Sequence, residues 1–393
     1  GADLPEIRVD DTVDALGDLG EALWREADRE GLHTIDVTGS NGKTTTKEIL
    51  RALWSGRGEV FATPGNYNNR IGLPLTLCSL PVDCDHLILE LGSNAEGEIA
   101  ELIRRAPGAE RVITSIGADH LAGYGSVDGV RRAKAEIADC ADESTAIVVP
   151  VDEREELPLD GPGEVWTFGQ GAEASVRVRE VRTMSAGEPT RVSLEWKGGG
   201  RTFELGLPGR HNASNLAAAV ATGRARGVTF PPDVDERLVD LDLPAGRWRR
   251  VAVGPYDLVD DAYNANPTSV RASVATFTDA RPQGPVAGAD APCRIAVLGE
   301  MAELGERADD LHERIAAEVA GRPAIDVFCA VGDRADRMAD AAREAADDVE
   351  VVAVDDAGTA GEWLAERDER GMVWLKASRS ARLERVIEVL EEA

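Results

Sequence analysis

Thr38-Gly39-Ser40-Asn41-Gly42-Lys43-Thr44-Thr45-Thr46 joins two segments of different character. Before it, Thr34-Ile35-Asp36-Val37 is a short apolar run that reads as a buried strand. After it, Lys47-Glu48-Ile49-Leu50-Arg51-Ala52-Leu53-Trp54 carries apolar residues at helical spacing. Strand, glycine turn, Gly-Lys-Thr and helix is the layout of a phosphate-binding loop. Gly39 and Gly42 let backbone N–H groups close around phosphate oxygens, Lys43 adds a cation near the terminal phosphates, and the Thr44 hydroxyl suits Mg²⁺. Gly39, Asn41, Gly42, Lys43, Thr44 and Thr45 are therefore the expected nucleotide contacts. The first glycine stands closer to Gly42 than the general spacing of such loops, which points to a family with a shortened loop.

Outward from the loop, apolar strands alternate with helical segments. Leu87-Ile88-Leu89, Val112-Ile113-Thr114-Ser115-Ile116 and Ala146-Ile147-Val148-Val149 predict a mostly parallel sheet with helices on both faces. From about 164 to 207 the pattern changes to alternating strands with a turn at Lys197-Gly198-Gly199-Gly200, which predicts an antiparallel addition to the same domain. Leu243-Pro244-Ala245-Gly246 reads as a hinge. Beyond it, Arg294–Leu298, Val327–Val331 and Val373–Leu375 alternate with helical segments and predict a second, Rossmann-like α/β domain. The expected division is a lead-in at 1–30, a central nucleotide-binding domain at 31–243 and a C-terminal domain at 244–393. Gln283–Gly288 is expected to be an exposed loop.

The 393 residues suffice for two or three cored domains. A net charge of −29 argues against nucleic acid as a partner, because no basic stripe offsets it. Arginine supplies nearly all the positive charge, since only Lys43, Lys47, Lys134, Lys197 and Lys376 are lysines; such a surface is like that of proteins from a salty cytoplasm. No apolar run of membrane-spanning length and no basic-apolar leader is seen. Cys78, Cys84, Cys140, Cys293 and Cys329 are scattered and read as reduced core residues rather than disulfides or a zinc site. A cytoplasmic monomer is expected.

Five segments in order carry a resemblance to a known family: the loop, Thr63-Pro64-Gly65-Asn66-Tyr67-Asn68-Asn69-Arg70-Ile71-Gly72-Leu73-Pro74, Leu89-Glu90-Leu91-Gly92-Ser93-Asn94, Asp260-Asp261-Ala262-Tyr263-Asn264-Ala265-Asn266-Pro267 and Leu298-Gly299-Glu300-Met301-Ala302-Glu303-Leu304-Gly305. From about residue 30 onward the chain resembles the Mur ligases, the ATP-dependent amide-forming enzymes of peptidoglycan synthesis, and within them the branch that adds D-alanyl-D-alanine. The resemblance implies ATP and Mg²⁺ as cofactors, with UDP-N-acetylmuramoyl-tripeptide and D-alanyl-D-alanine as substrates. It also implies that Pro5–Thr12 follows an N-terminal UDP-sugar domain absent from this sequence. A polyglutamate, folate or cyanophycin-type ligase is the alternative enzyme, and a nucleotide-binding regulator the alternative of another class.

Forming an amide from a carboxylate requires activation, which ATP supplies by making an acyl phosphate. Glu90 ends a buried strand, where open sheets build sites, and beside the loop it suits Mg²⁺; without the loop it reads rather as a capping or salt-bridged glutamate. His120 alone reads as structural, but the resemblance implies a second metal ligand. For Lys134 it implies a carbamate that bridges metals, which requires a neutral amine before CO₂ adds. Asn212 and Asn215 share a helix face, and the resemblance favours Asn215 for adenine. Arg247 sits at the hinge and could serve the γ-phosphate or form a surface ion pair. Asp261 and Asn264 match a nucleotide-facing loop, with Asp261 for the ribose, though a simple turn explains them too. Glu303, Lys376, Ser378 and Arg379, together with Glu300 and His312, are expected to shape the acceptor pocket or to serve domain closure; Ala377 departs from the glycine of the family run.

Overall fold

The computed structural model describes residues 7–159, 161, 163–183, 188–241, 243–287, 292–367 and 369–393. The expected linker start at Pro5 and Glu6 and the loop end at Gly288 lie outside the described residues.

The first sheet contains β1 (His33–Thr38), β2 (Val60–Ala62), β3 (His86–Glu90), β4 (Glu110–Ile113), β5 (Ala146–Pro150), β6 (Glu164–Gly169), β7 (Val176–Arg182), β8 (Thr190–Trp196) and β9 (Gly199–Leu205). Its order is β2-β3-β1-β4-β5-β6-β7-β8-β9. The run read as a buried strand is β1, and it pairs in parallel with β3 on one side and β4 on the other. The C-terminal ends of β3, β1 and β4 therefore lie side by side, and that is the edge from which the phosphate loop leaves. The helix Lys43–Trp54 is buried over most of its circumference, from Thr44 to Leu50 and from Ala52 to Trp54. Leu73, Leu77, Leu87, Leu89, Ile99, Leu102 and Ile103 form the core on one face of these strands.

The expected antiparallel addition is found in part. β8 and β9 form a hairpin closed at Trp196↔Gly199, with Gly198 at φ +85 in the turn. β5–β6 and β6–β7, in contrast, pair in parallel. Alternating apolar residues report a half-buried strand, whichever way its neighbour runs, so pairing direction was not in the pattern.

The second sheet contains β10 (Arg249–Val253), β11 (Tyr256–Asp260), β12 (Cys293–Leu298), β13 (Val327–Val331), β14 (Glu350–Val354) and β15 (Gly371–Lys376), in the order β10-β11-β15-β12-β13-β14. Only β10 is antiparallel. Successive side chains point to opposite faces. Val259, Ala296, Leu298, Met372 and Trp374 thus enter one core, and Leu258, Ile295, Val297, Val373 and Leu375 enter another. Both faces need helical cover, and this is why the strands read as continuous apolar runs. β11, β15 and β12 are neighbours, so Asp261, Lys376 and Glu300 follow one another along the C-terminal edge of this sheet.

Contacts divide the chain into two compact units: Gly1–Ile116, Arg131–Arg177 and Asn215–Val234 in the first, and Gly117–Val130, Val178–Ser214 and Asp235–Ala393 in the second. Both are discontinuous in sequence, unlike the expected continuous domains.

Two smaller expectations are corrected. Gln283–Gly288 is not simply an exposed loop: it contains the turn Gly284–Val286, and Val286 is buried in the second unit's core. Of the cysteines, Cys329 is buried and Cys140 is exposed; all five are free thiols. Among the described residues no helix is long and apolar enough to cross a membrane.

Candidate functional site

The phosphate loop is held from β4. Ser40 N–H donates to the Ser115 carbonyl at 2.9 Å, and Asn41 N–H donates to Ser115 Oγ at 2.9 Å. The Asn41 carbonyl accepts from Thr114 Oγ1 at 2.5 Å and from Ser115 Oγ at 3.0 Å. Gly39, at φ +139, lies so close to Thr114 and Ser115 that a side chain has no room. Gly42 is left-handed at φ +82 and caps the helix Lys43–Trp54 without a side-chain hydrogen bond. A helix leaves its first N–H groups unpaired and its N-terminus positive, so this end is built for an anion. Lys43 Nζ donates to the Gly39 carbonyl at 2.7 Å, folded back over the loop that it would serve. The Asn215 amide lies against Gly42, where a Cβ would strike it. Thr45 is buried in the first turn.

Thr44 Oγ1 donates to Glu90 Oε2 at 2.8 Å, and both groups are buried. Asn68 Nδ2 donates to Glu90 Oε1 at 2.9 Å. Lys47 Nζ sits 3.8 Å from Glu90 Oε2 and donates to the Thr63 carbonyl at 2.7 Å. A hydroxyl and a carboxylate side by side at a phosphate loop are oxygen donors of the kind that Mg²⁺ selects, alongside phosphate oxygens and water. Among the described residues no three His, Cys, Asp or Glu side chains form a metal cluster, so an all-protein cage is not what this donor set offers. Lys134 lies on the helix Val127–Ala135, buried, and its Nζ donates to Ser93 Oγ at 2.9 Å.

In the second unit, His120 has φ +49 and its Nδ1 contacts the Glu303 carboxylate, while Asp119 Oδ2 lies 3.5 Å from Nε2. Glu303, itself at φ +63, also accepts Ala122 N–H through its carbonyl at 3.2 Å. Glu303 is thus a partner of His120 here. Asp261 Oδ2 accepts from Ser273 Oγ at 2.6 Å and pairs with Lys376 Nζ at 2.9 Å. Lys376 Nζ also donates to the Asp261 and Asn264 carbonyls, at 3.0 and 2.7 Å. Its three protons are thereby used inside the loop, with Lys376 only 4 % exposed. Ser378 is buried and accepts Ala302 N–H at 2.8 Å. Arg379 is exposed. Glu300 pairs with Arg334 at 2.8 Å. His312 is buried; its Nε2 accepts Met301 N–H at 2.8 Å and its Nδ1 contacts the Ala308 carbonyl at 2.6 Å, so it braces the Glu300–Leu304 run from within. Arg247 stacks on the Tyr263 ring, 4.2 Å from its centroid. Asn212 donates to the Pro208 carbonyl at 2.8 Å, inside its own turn.

Burial sets the charge states around these groups. It lowers His211 to a pKa of about 4, against the nearby Asp261, and keeps the imidazole neutral. It raises Asp260, whose oxygens accept Gly246 and Ala262 N–H. The sequence reading did not single out Thr114, Ser115, Asn68, Lys47 or Tyr263. Ser115 was legible as a polar residue at the end of an apolar strand, and Asn68 lies in the family-like run Thr63–Pro74. The Lys47 contact depends on a fold-back that no local pattern announces.

Residues 37–223 match the Mur ligase middle domain, and residues 246–379 match the Mur ligase glutamate ligase domain. A Bacillus subtilis protein named UDP-N-acetylmuramoyl-tripeptide–D-alanyl-D-alanine ligase is 33 % identical over 315 residues, 80 % of this chain and 65 % of its own length. The Escherichia coli protein of that name is 31 % identical over 399 residues, 99 % of this chain and 83 % of its own length. The structure of the Thermotoga maritima MurF ligase in complex with ADP superposes with a TM-score of 0.82 at 27 % identity, covering 98 % of this chain and 85 % of that one. Fold and loop define a nucleotide-binding α/β protein of the phosphate-loop kind. The chain belongs to the Mur ligase family.

Proposed function

We propose that this chain carries out the ATP-dependent, ADP-forming addition of D-alanyl-D-alanine to UDP-N-acetylmuramoyl-tripeptide in peptidoglycan precursor synthesis. The observation that carries the reading is the E. coli relative of that name, which aligns with 99 % of this chain. The substrate carboxylate takes the γ-phosphoryl group of ATP, giving an acyl phosphate and ADP. The neutral amine of the dipeptide adds to the acyl carbon, the tetrahedral intermediate expels phosphate, and the nitrogen loses its proton. The setting is the cytoplasm, and the chain acts as a monomer.

Lys43 and the N–H groups after Gly42 hold phosphate charge. Thr44 and Glu90 are the residues that would hold Mg²⁺, which supplies charge neutralisation when bound. His120, Asn215, Arg247, Asp261 and Asn264 keep the metal and nucleotide roles that the resemblance implies. For the acceptor, Arg379 is better placed than Lys376, whose donors are already spent. Carbamylation of Lys134 also rests on the resemblance. It predicts that Lys134→Ala is rescued in part by formate or acetate; a dead variant that neither salt restores removes the carbamate.

The reading is tested by phosphate release with ATP, the UDP-muramoyl-tripeptide and a panel of amines. D-Alanyl-D-alanine is expected to exceed every single amino acid. A preference for glutamate would move the chain to the polyglutamate-type alternative, and no release with any amine would favour the regulator.

A further inference from the structure

Arg247 carries its charge in a chain with 72 Asp and Glu residues. Its guanidinium lies over the Tyr263 ring, 4.2 Å from the centroid. Among the described residues no carboxylate pairs with it, and its buried Nε has no acceptor. The backbone around it is built for this stacking. Gly246 has φ +76, and a Cβ there would stand 2.7 Å from Tyr263 N. The Gly246 carbonyl accepts Tyr263 N–H at 2.9 Å, Gly246 N–H donates to Asp260 Oδ2 at 3.1 Å, and Trp248 N–H donates to Asp261 Oδ1 at 3.3 Å. Residues 246–248 are thus laced to 260–263 on both sides of Arg247, and the ring is fixed beneath the side chain.

We infer that Tyr263 is a positioning residue: it holds the Arg247 guanidinium by its face, leaving the in-plane N–H edge to receive a phosphate oxyanion. A carboxylate partner would occupy that edge and cancel the charge. A π face holds the cation while consuming none of its donors. The inference rests on the proposed reading of Arg247 as a γ-phosphate group, and it adds the residue that holds Arg247 ready.

The test is calorimetric binding of β,γ-methylene-ATP and of ADP, each with Mg²⁺, to wild type, Arg247→Ala, Tyr263→Phe, Tyr263→Leu, Tyr263→Gln and the Tyr263→Leu/Arg247→Ala double variant. The readout is the ratio of the two affinities, so the ADP value checks each variant's fold. Arg247→Ala is expected to reduce the triphosphate preference. Tyr263→Leu and Tyr263→Gln should reduce it by about threefold to thirtyfold, the range a cation–π contact carries. Tyr263→Phe, which keeps the ring face, should stay within about twofold, and Tyr263→Leu should add nothing once Arg247 is gone. If Arg247→Ala leaves the ratio unchanged, the γ-phosphate reading fails and the inference falls with it. If Arg247→Ala lowers the ratio and Tyr263→Leu does not, or if Tyr263→Phe loses as much as Tyr263→Leu, the inference alone is overturned.

Discussion

Among the described residues Lys43 bonds to carbonyls of its own loop alone, Gly39 at 2.7 Å and Ser40 at 3.4 Å. It contributes little to any core, so its removal separates chemistry from folding. Lys43→Ala is expected to lower phosphate release at least about 100-fold, the scale of losing one charged donor at a transferring group, with a melting temperature close to wild type. Turnover near the wild-type rate would remove the loop's role. The strand, turn and helix around Lys43 were legible because a Gly-Lys-Thr turn between strand and helix has few other uses. It was less legible for Lys376, which sequence alone offers as a free cation for an acceptor carboxylate. Whether a lysine is free depends on carbonyls far away in the chain, and for Lys376 those are Asp261 and Asn264. Tyr263 was hidden for a similar reason, since its use depends on Arg247 folding over it.

At the scale of elements, β1 and β4 show what periodicity conveys and what it omits. The apolar pattern of Thr34–Val37 marked a buried strand, yet Asp36 stands in its middle, fully buried. Its Oδ2 accepts Gly108 N–H at 2.6 Å, and among the described residues its Oδ1 has no partner. Burial raises its pKa to about 7, opposed by Arg111 on the neighbouring strand and by the Gly108 bond, and aided by Glu110. The folded state therefore binds this proton more tightly than the unfolded chain, whose aspartate titrates near 4. Between about pH 4 and 7 the folded state carries more protons, so this group's stabilisation is full at the acid end and falls as pH rises through that window. Denaturation of Asp36→Asn across pH 5 to 8 should give a shallower loss of stability with rising pH than wild type; parallel profiles would contradict the assignment. The parallel join of β6 to β7 is the complementary lesson. The alternating residues Arg177–Arg179 marked β7 as a strand, but direction is decided by the partner's register, as in Phe168↔Val176, and not by either strand alone.

For the whole molecule, the −29 charge sets a condition on function. Nucleotides and UDP-linked peptides are anions, and the summed field repels them. Binding must then be local, at cations without a carboxylate partner and at oriented N–H groups; among the described residues Lys43 and Arg247 have no carboxylate partner, and the helix start after Gly42 presents such N–H groups. The two α/β sheets were legible because strands and helices alternate on both sides of Leu243–Gly246. The discontinuous units were not legible, since segments such as 117–130 and 178–214 join the second unit by contacts remote in sequence. The central claim is that ATP activates the substrate's carboxylate. It is tested most directly with tripeptide substrate whose reacting carboxylate is labelled with ¹⁸O, incubated with ATP and D-alanyl-D-alanine. An acyl phosphate transfers one carboxylate oxygen to the departing phosphate, so the released phosphate should carry ¹⁸O and the new amide should keep the other label. Amide product accompanied by unlabelled phosphate would contradict the account.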